Sequence, residues 1–382
     1  MDWPRTPVER VQLFRPPFCP WPACPEHLRR RPGFRFRHHG TYATRRRCVP
    51  RFLCLTCRRT FSRQTFSTSY YLKRPELVTT LAAGLNAGSA LRQVARSVAC
   101  AHSTPARLAA RLGRHTLLLH ARSLAFLRGR LDEPVVLDHF ETFEFTQDYP
   151  FGVATPVGAR SWFAYGVDPV PHARTGRRSS AQQARVLSRP RRPSRGGYAG
   201  STRRVLDTLL PLVPEGGRLH LVSDGHPAYA RAAASHPRVR LQSFPNPRRG
   251  PRGTPRSAAA RARDEAMFPA DLLHALLRHT QAHHRRETIA FGRRLNALIE
   301  RLFLFTVWRN FVKLRSERRP EPVTPAMRLG LATEPWSWRR VLSRRLFPAR
   351  LSLTSVEQQI YQRRWTTPLL PRNAIHALKH AY

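Results

Sequence analysis

Pro134-Val135-Val136-Leu137-Asp138-His139-Phe140-Glu141-Thr142-Phe143-Glu144-Phe145 is the stretch on which the fold turns. It begins as a short apolar, β-branched run, the mark of a buried strand, and that run stops on an acid before the extended character resumes. Arg218-Leu219-His220-Leu221-Val222-Ser223-Asp224-Gly225 repeats the pattern: an apolar strand finishing on an acid, with a glycine turn behind it. Ser161-Trp162-Phe163-Ala164-Tyr165-Gly166-Val167 reads as a further strand of the same sheet, and Phe268-Pro269-Ala270-Asp271 opens a long helix through Leu272, Leu273, Leu276 and Leu277. Strands interleaved with helices predict an α/β domain with a mixed sheet over residues 131–317.

Acids are scarce here, 23 Asp+Glu against 67 Lys+Arg, so those at strand ends stand out. Asp138, Asp224 and Asp271 form a set of two strand acids and one helix acid. Such a set can hold two hard divalent ions, Mg2+ or Mn2+, which favour oxygen ligands, for in-line attack on a phosphodiester. Each acid also has an ordinary reading. Asp224 before Gly225 can serve a turn, Asp138 can close a strand, and Asp271 in a helix's first turn meets the macrodipole. Glu265, Glu287 and Glu300 are the rival third ligands.

Upstream, residues 15–75 carry two tight cysteine pairs, Cys19 with Cys24 and Cys54 with Cys57. Two turns each bearing two thiolates supply the tetrahedral corners of a zinc ribbon, a structural site because four protein ligands leave no open position. Cys48, His27, His38 and His39 could substitute, and free cysteines in a disordered arm are the plainer alternative. Phe34, Phe36 and Tyr42 among Arg35, Arg37 and His38 read as a short basic hairpin. Cys100 stands alone as a small hydrophobe.

Residues 76–130 change to a helical period through Leu77, Leu81, Leu85, Leu91, Val94, Val98, Leu108 and Leu112. Gly88 and Ser89 interrupt the first helix, and Ser103-Thr104-Pro105 starts the last one, displaying Arg107, Arg111 and Arg114. Three short helices suit a helix-turn-helix that reads DNA with its last member, or an ordinary bundle with solvated arginines.

The net charge of +44 draws a polyanion and repels basic partners, although with lysine only at Lys73, Lys313 and Lys379 an arginine-biased composition accounts for part of it. Residues 172–204 and 245–263, rich in Arg, Pro, Gly and Ser, read as loops that contact DNA backbone. No apolar run reaches the roughly 18 to 20 residues that span a bilayer, and the expected compartment is the cytoplasm.

Asp138-His139-Phe140-Glu141-Thr142-Phe143 resembles the Asp-Glu-x-Trp-Ser-Phe segment of DDE transposases of the insertion-sequence-one type, and Ser223-Asp224-Gly225-His226-Pro227-Ala228-Tyr229 resembles their Thr-Asp-Gly-Trp-x-Ala-Tyr segment. Asp271-Leu272-Leu273-His274-Ala275-Leu276-Leu277-Arg278, then Arg286-Glu287-Thr288-Ile289-Ala290-Phe291-Gly292, is similar to a third block, with Asp271 on the catalytic glutamate. Together with the cysteine pairs and helices the likeness spans roughly residues 15–315. It departs in having His139 for an acid and aspartate for glutamate, whose shorter side chain reaches less far. The resemblance implies a multidomain α+β protein: zinc ribbon, helix-turn-helix and an RNase H-like α/β catalytic domain with Asp138, Asp224 and Asp271 as its triad. It also implies a nucleoid-associated enzyme that binds duplex terminal inverted repeats and target DNA, as a dimer or larger synaptic complex. A degenerate, non-catalytic DNA-binding regulator and a structural RNA-binding protein are the other readings. Leu302–Val312 reads as a helix packing on the sheet, while the basic tail 318–382, with Trp336, Trp338 and Trp365, has no assigned role.

Overall fold

The computed structural model describes residues 14–29, 33–44, 48–173, 177–188, 196–248, 250–251, 253–318 and 322–365. It is a mixed α/β protein with one three-stranded and one five-stranded sheet.

A one-turn helix α1 (Pro25–Leu28) precedes strands β1 (Phe36–Ala43), β2 (Cys48–Cys54) and β3 (Thr60–Ser62), an antiparallel sheet in that order. The hairpin expected over Phe34, Phe36 and Tyr42 is not formed within that stretch: Phe36 and Tyr42 lie on one strand, β1, which pairs with β2 and has a register break between His38 and Thr41. Phe52, Phe61 and Phe66 pack with Cys19, Cys24 and Cys54 in a small cluster of their own. A core of that size is a weak source of stability without a further constraint.

Helices α2 (Leu77–Asn86), α3 (Leu91–Ser97) and α4 (Ser103–Phe126) follow. Leu77, Leu81, Leu85, Val94, Leu108 and Leu112 meet in one cluster, as their helical spacing requires. The third helix is not short, however. It runs 24 residues, and its second half is buried among Leu117, Leu118 and Leu119. Ser103 is not its cap, since that position is His102 and makes no capping side-chain bond.

The larger sheet contains β4 (Val135–Phe143), β5 (Pro150–Gly158), β6 (Asp168–Pro171), β7 (Leu219–Ser223) and β8 (Val239–Ser243), in the order β6-β5-β4-β7-β8. β4, β5 and β6 are antiparallel neighbours, and β7 and β8 run parallel to β4. Residues 161–167 are not the strand expected. Ser161 and Tyr165 both bond to the buried Glu133, which accepts the Ser161 N–H at 2.8 Å and the Tyr165 hydroxyl at 2.7 Å. Folded back on that carboxylate, the segment keeps a single bridge, Ala164 to Val157, and Asp168–Pro171 forms the edge instead.

Around this sheet lie α5 (Ser180–Leu187), α6 (Gly197–Leu209), α7 (Pro227–Ala233), α8 (Ala258–Thr280) and α9 (Leu295–Val307). The stretches 172–204 and 245–263 are therefore partly helical: they hold α5, the start of α6 and the start of α8. Arginine is a good helix former, and Ser179 and Ser257 cap α5 and α8. For the same reason α8 begins well before Pro269, which lies inside it, so Asp271 sits mid-helix rather than in a first turn.

α9 continues as a π turn through Val312 and lies chiefly along α4. Gly113 makes this approach feasible, because a Cβ there would overlap the Glu300 main chain. Beyond it, α10 (Pro325–Arg328), α11 (Trp338–Val341) and α12 (Ser355–Tyr361) run back over the molecule. Phe347 packs on Phe18, His27 and Phe66, while Arg345 donates to Thr65 O at 2.9 Å and Arg350 to His27 O. Ile360, Tyr361 and Trp365 enter the main core. The segment without an assigned role is a strap that fastens the cysteine module to the body. Residues 366–382 lie outside the described residues. Among the described residues no helix is long and apolar enough to cross a membrane.

Candidate functional site

Val136 pairs with Val222 across the parallel β4–β7 ladder, and Asp138 and Asp224 each lie two residues further on; Asp224 follows the end of β7, but Asp138 does not close its strand, because β4 runs on to Phe143 in its pairing with β5. Side chains two apart share a face. Val136 and Val222 pack on Met267 and Ala270 of α8, which fixes that face as the one α8 covers. Gly225 turns the chain away behind Asp224 with φ +85°, a left-handed conformation that disfavours other residues.

Asp138 Oδ1 accepts the His139 N–H at 2.7 Å, and Asp224 Oδ1 accepts the His226 N–H at 3.0 Å. The Tyr229 hydroxyl lies 2.8 Å from His139 Nδ1 and 3.4 Å from Asp138 Oδ1, and His139 stacks on Tyr198 at 4.1 Å. Burial, with the Asp224 charge behind it, pushes the Asp138 carboxyl up to about 7. Among the described residues neither acid has an Arg or Lys within ion-pairing distance. In a chain of 67 basic residues that exclusion is informative.

Asp271 lies close enough for its charge to act on Asp138, but it pairs with Arg263 one helical stretch earlier. His274, which the sequence reading passed over, comes closer: its Nδ1 is 3.6 Å from Asp138 Oδ2 and its Nε2 2.7 Å from the Thr155 hydroxyl. Burial holds this imidazole down at about 3. The rivals fall away from the site. Glu300 is buried against Arg363 and Arg114, at 2.9 and 3.5 Å, and Glu265 and Glu287 are exposed elsewhere.

Cys19, Cys24, Cys54 and Cys57 place their sulfurs within 4.8 Å of one another, and among the described residues no other group of three or more metal-capable side chains converges so closely. Cys19 and Cys57 are 3.7 Å apart, Cys24 and Cys54 3.8 Å. Zn–S bonds of about 2.3 Å at tetrahedral angles put sulfurs about 3.8 Å apart, so the geometry is compatible with a structural zinc. Cys48, His38 and His39 are exposed and outside the group; His27 is buried but gives its Nδ1 to Cys19 O at 2.8 Å.

The arginines expected on α4 divide. Arg107 is exposed, whereas Arg111 is turned inward to Tyr70 O and Arg114 to Glu300. Every residue of α4 from Leu108 to Ala121 is buried, so neither can be displayed to a partner. Arg92 and Arg96 of α3, with His102, instead line an open groove beside the start of α4.

No family model, curated protein or solved structure matches the chain.

Proposed function

We propose that the chain is a DNA transposase that binds element terminal repeats and performs metal-dependent strand cleavage and transfer. The observation that carries this is the placement of Asp138 within β4 and Asp224 just past the end of β7, each two residues beyond the Val136–Val222 pair of these adjacent parallel strands, with no Arg or Lys within ion-pairing distance of either among the described residues. A mixed sheet with the first acid on its central strand and the second on the neighbour supports an RNase H-like reading of residues 131–317.

Two adjacent carboxylates fit a hard divalent ion such as Mg2+ or Mn2+. Bound there, such ions would activate the attacking oxygen and stabilise the leaving one. The chain's own part is to hold and orient. Asp138 and Asp224 would be the ligands, Tyr229 and the main-chain N–H of His139 fix the first carboxylate, and Arg263 stands beside the site to meet a phosphate. Hydrolysis leaving a 3′-OH and its later attack on target DNA share one in-line geometry, so a single site serves both.

The cysteine module is read as a zinc ribbon and α2–α4 as a helix-turn-helix whose exposed Arg92, Arg96 and Arg107 grip phosphates. Such contacts release counterions and weaken steeply with salt. Joining two element ends requires at least a dimer, and the DNA partner implies a place at the nucleoid. Donor-strand cleavage with Mn2+ tests the proposal: Asp138→Ala and Asp224→Ala each abolish it, and unchanged cleavage in either, or none in the parent, defeats it.

The capture of Asp271 by Arg263 favours one second reading, a DNA-binding regulator that has lost cleavage. That protein would bind terminal repeats and leave them intact.

A further inference from the structure

Arg309 lies in the π turn that follows α9, a kind of turn that recurs at functional sites, and it is only 2% exposed. Its Nη1 is sealed from water, yet no described group accepts a hydrogen bond from it. Among the described residues no Asp or Glu lies within ion-pairing distance of it either. The next residue shows the contrast: Asn310 exchanges two hydrogen bonds with the Ala164 main chain, at 2.9 and 3.0 Å. Glu133, which draws residues 161–165 inward, engages the N–H groups of Arg160 and Ser161 and the Tyr165 hydroxyl instead. Burial, with the like charge of Arg315 behind it, lowers the Arg309 guanidinium to about 10, which leaves it charged at neutral pH. A buried charge is stable only where a group of opposite sign meets it, and this chain supplies none.

The surroundings are aromatic and cationic. Trp162 holds the Arg309 guanidinium 5.9 Å from its ring centre and that of Arg315 4.0 Å from it, so two cations share one indole. Trp162 itself is fixed at φ +62°, a left-handed conformation that bulky residues rarely adopt. Phe268 of α8 also lies against this indole, with ring centres 5.5 Å apart, and is 47% exposed. An open aromatic ring beside guanidinium groups is the combination that binds single-stranded nucleic acid: bases stack on the ring while cations hold the backbone. A duplex hides its base faces and offers such a ring nothing. Phe268 stands three residues before Asp271, and residues so spaced are neighbours on one helix face, so this surface adjoins the carboxylates.

We propose that Arg309, Arg315, Trp162 and Phe268 form a binding site for one nucleotide of single-stranded DNA, with its phosphate at the two guanidinium groups and its base on Phe268. The phosphate is the counter-charge that Arg309 lacks. The site goes beyond the cleavage reading and needs neither Asp138 nor Asp224.

A short single-stranded oligonucleotide carrying iodouracil, irradiated with the full chain, reports the stacked side chain once the attached peptide is mapped by mass spectrometry. Attachment at Phe268 or Trp162 is expected; attachment only elsewhere, or no binding, overturns the inference. Arg309→Met keeps the bulk of the side chain and removes its charge. It should weaken binding of the plain oligonucleotide about tenfold or more. The slope of log affinity against log salt should shrink by about 0.7, the share of one phosphate. The free variant should unfold at no lower urea concentration than the parent, because an uncompensated buried charge is gone. A merely structural cation gives the reverse, with affinity and slope unchanged and stability lower, and that result overturns the proposal. Should Arg309→Met fail to fold, Phe268→Ala at its exposed position carries the test: single-strand affinity falls about fivefold or more while duplex affinity holds. Equal loss for both, or none, overturns it. Inorganic phosphate that raises the urea midpoint of the parent but not of Arg309→Met, without attachment at Phe268 or Trp162, marks a free-anion site and overturns the DNA assignment. Attachment in a chain that cleaves nothing supports this site and defeats only the cleavage reading.

Discussion

Glu300→Gln separates a structural carboxylate from a metal-binding one. Its side chain is 1% exposed, with Oε1 2.9 Å from Arg363 Nε and 3.5 Å from Arg114 Nη1. Burial pushes the Glu300 carboxyl up even against the pull of Arg363 and Arg114, so the ions pay more for desolvation than their attraction returns. Removing the one negative charge nevertheless leaves two arginines uncompensated, and breaking a buried pair costs about 3–5 kcal/mol. Arg363 retains some access to water, with 18% of its side chain exposed, which places the expected loss near the lower end, about 3 kcal/mol. With a urea dependence of about 3 kcal/mol per molar, the unfolding midpoint drops by about 1 M. Mn2+ binding at Asp138 and Asp224 is unaffected. A midpoint unchanged within about 0.2 M, or a selective loss of Mn2+ with stability intact, refutes the assignment of Glu300 as a counter-ion.

Gly113→Ala forces a methyl group into the Glu300 main chain and separates α4 from α9, with a loss of roughly 1–3 kcal/mol or more in the same urea assay. Burial lowers His115 and His120 to about 4, so the unfolded chain binds more protons between pH 6.5 and 4. Stability is then full above pH 6.5 and falls toward pH 4, by about 2 kcal/mol per histidine on reaching pH 5; His120→Leu flattens that slope in pH-dependent unfolding. Cys54→Ser with Cys57→Ser should remove about one equivalent of zinc per chain, and a folded parent free of zinc contradicts the ribbon reading. Phe347→Ala loosens the strap over the cysteine module and should speed zinc loss to a chelator without changing Mn2+ binding.

The legible parts of this fold were those in which a local pattern and the global packing agree. Apolar runs ending on Asp138 and Asp224 are strands in register, and the helical leucines of residues 77–112 do share a core. β5 was hidden because Pro150, Gly152, Pro156 and Gly158 argue against an interior strand, yet it pairs on both sides. Residues 161–167 look extended but are bent by Glu133, a partner no local window contains. Arg111 and Arg114 followed helical spacing outward in the sequence reading, whereas a later helix covers that side and supplies Glu300. His274 carried a signal that was available: it continues the Met267, Ala270, Leu277 stripe, and a histidine on an apolar stripe above a strand acid invites inspection. The basic segments misled through composition, since arginine-rich sequence with a serine cap forms helix as readily as loop.

Diffraction from crystals soaked in Mn2+, collected at a wavelength where manganese scatters anomalously, locates the ion without reference to activity. The account requires a peak within coordination distance of both Asp138 and Asp224. Manganese found only elsewhere, or the two carboxylates turned to arginines with no peak between them, contradicts it.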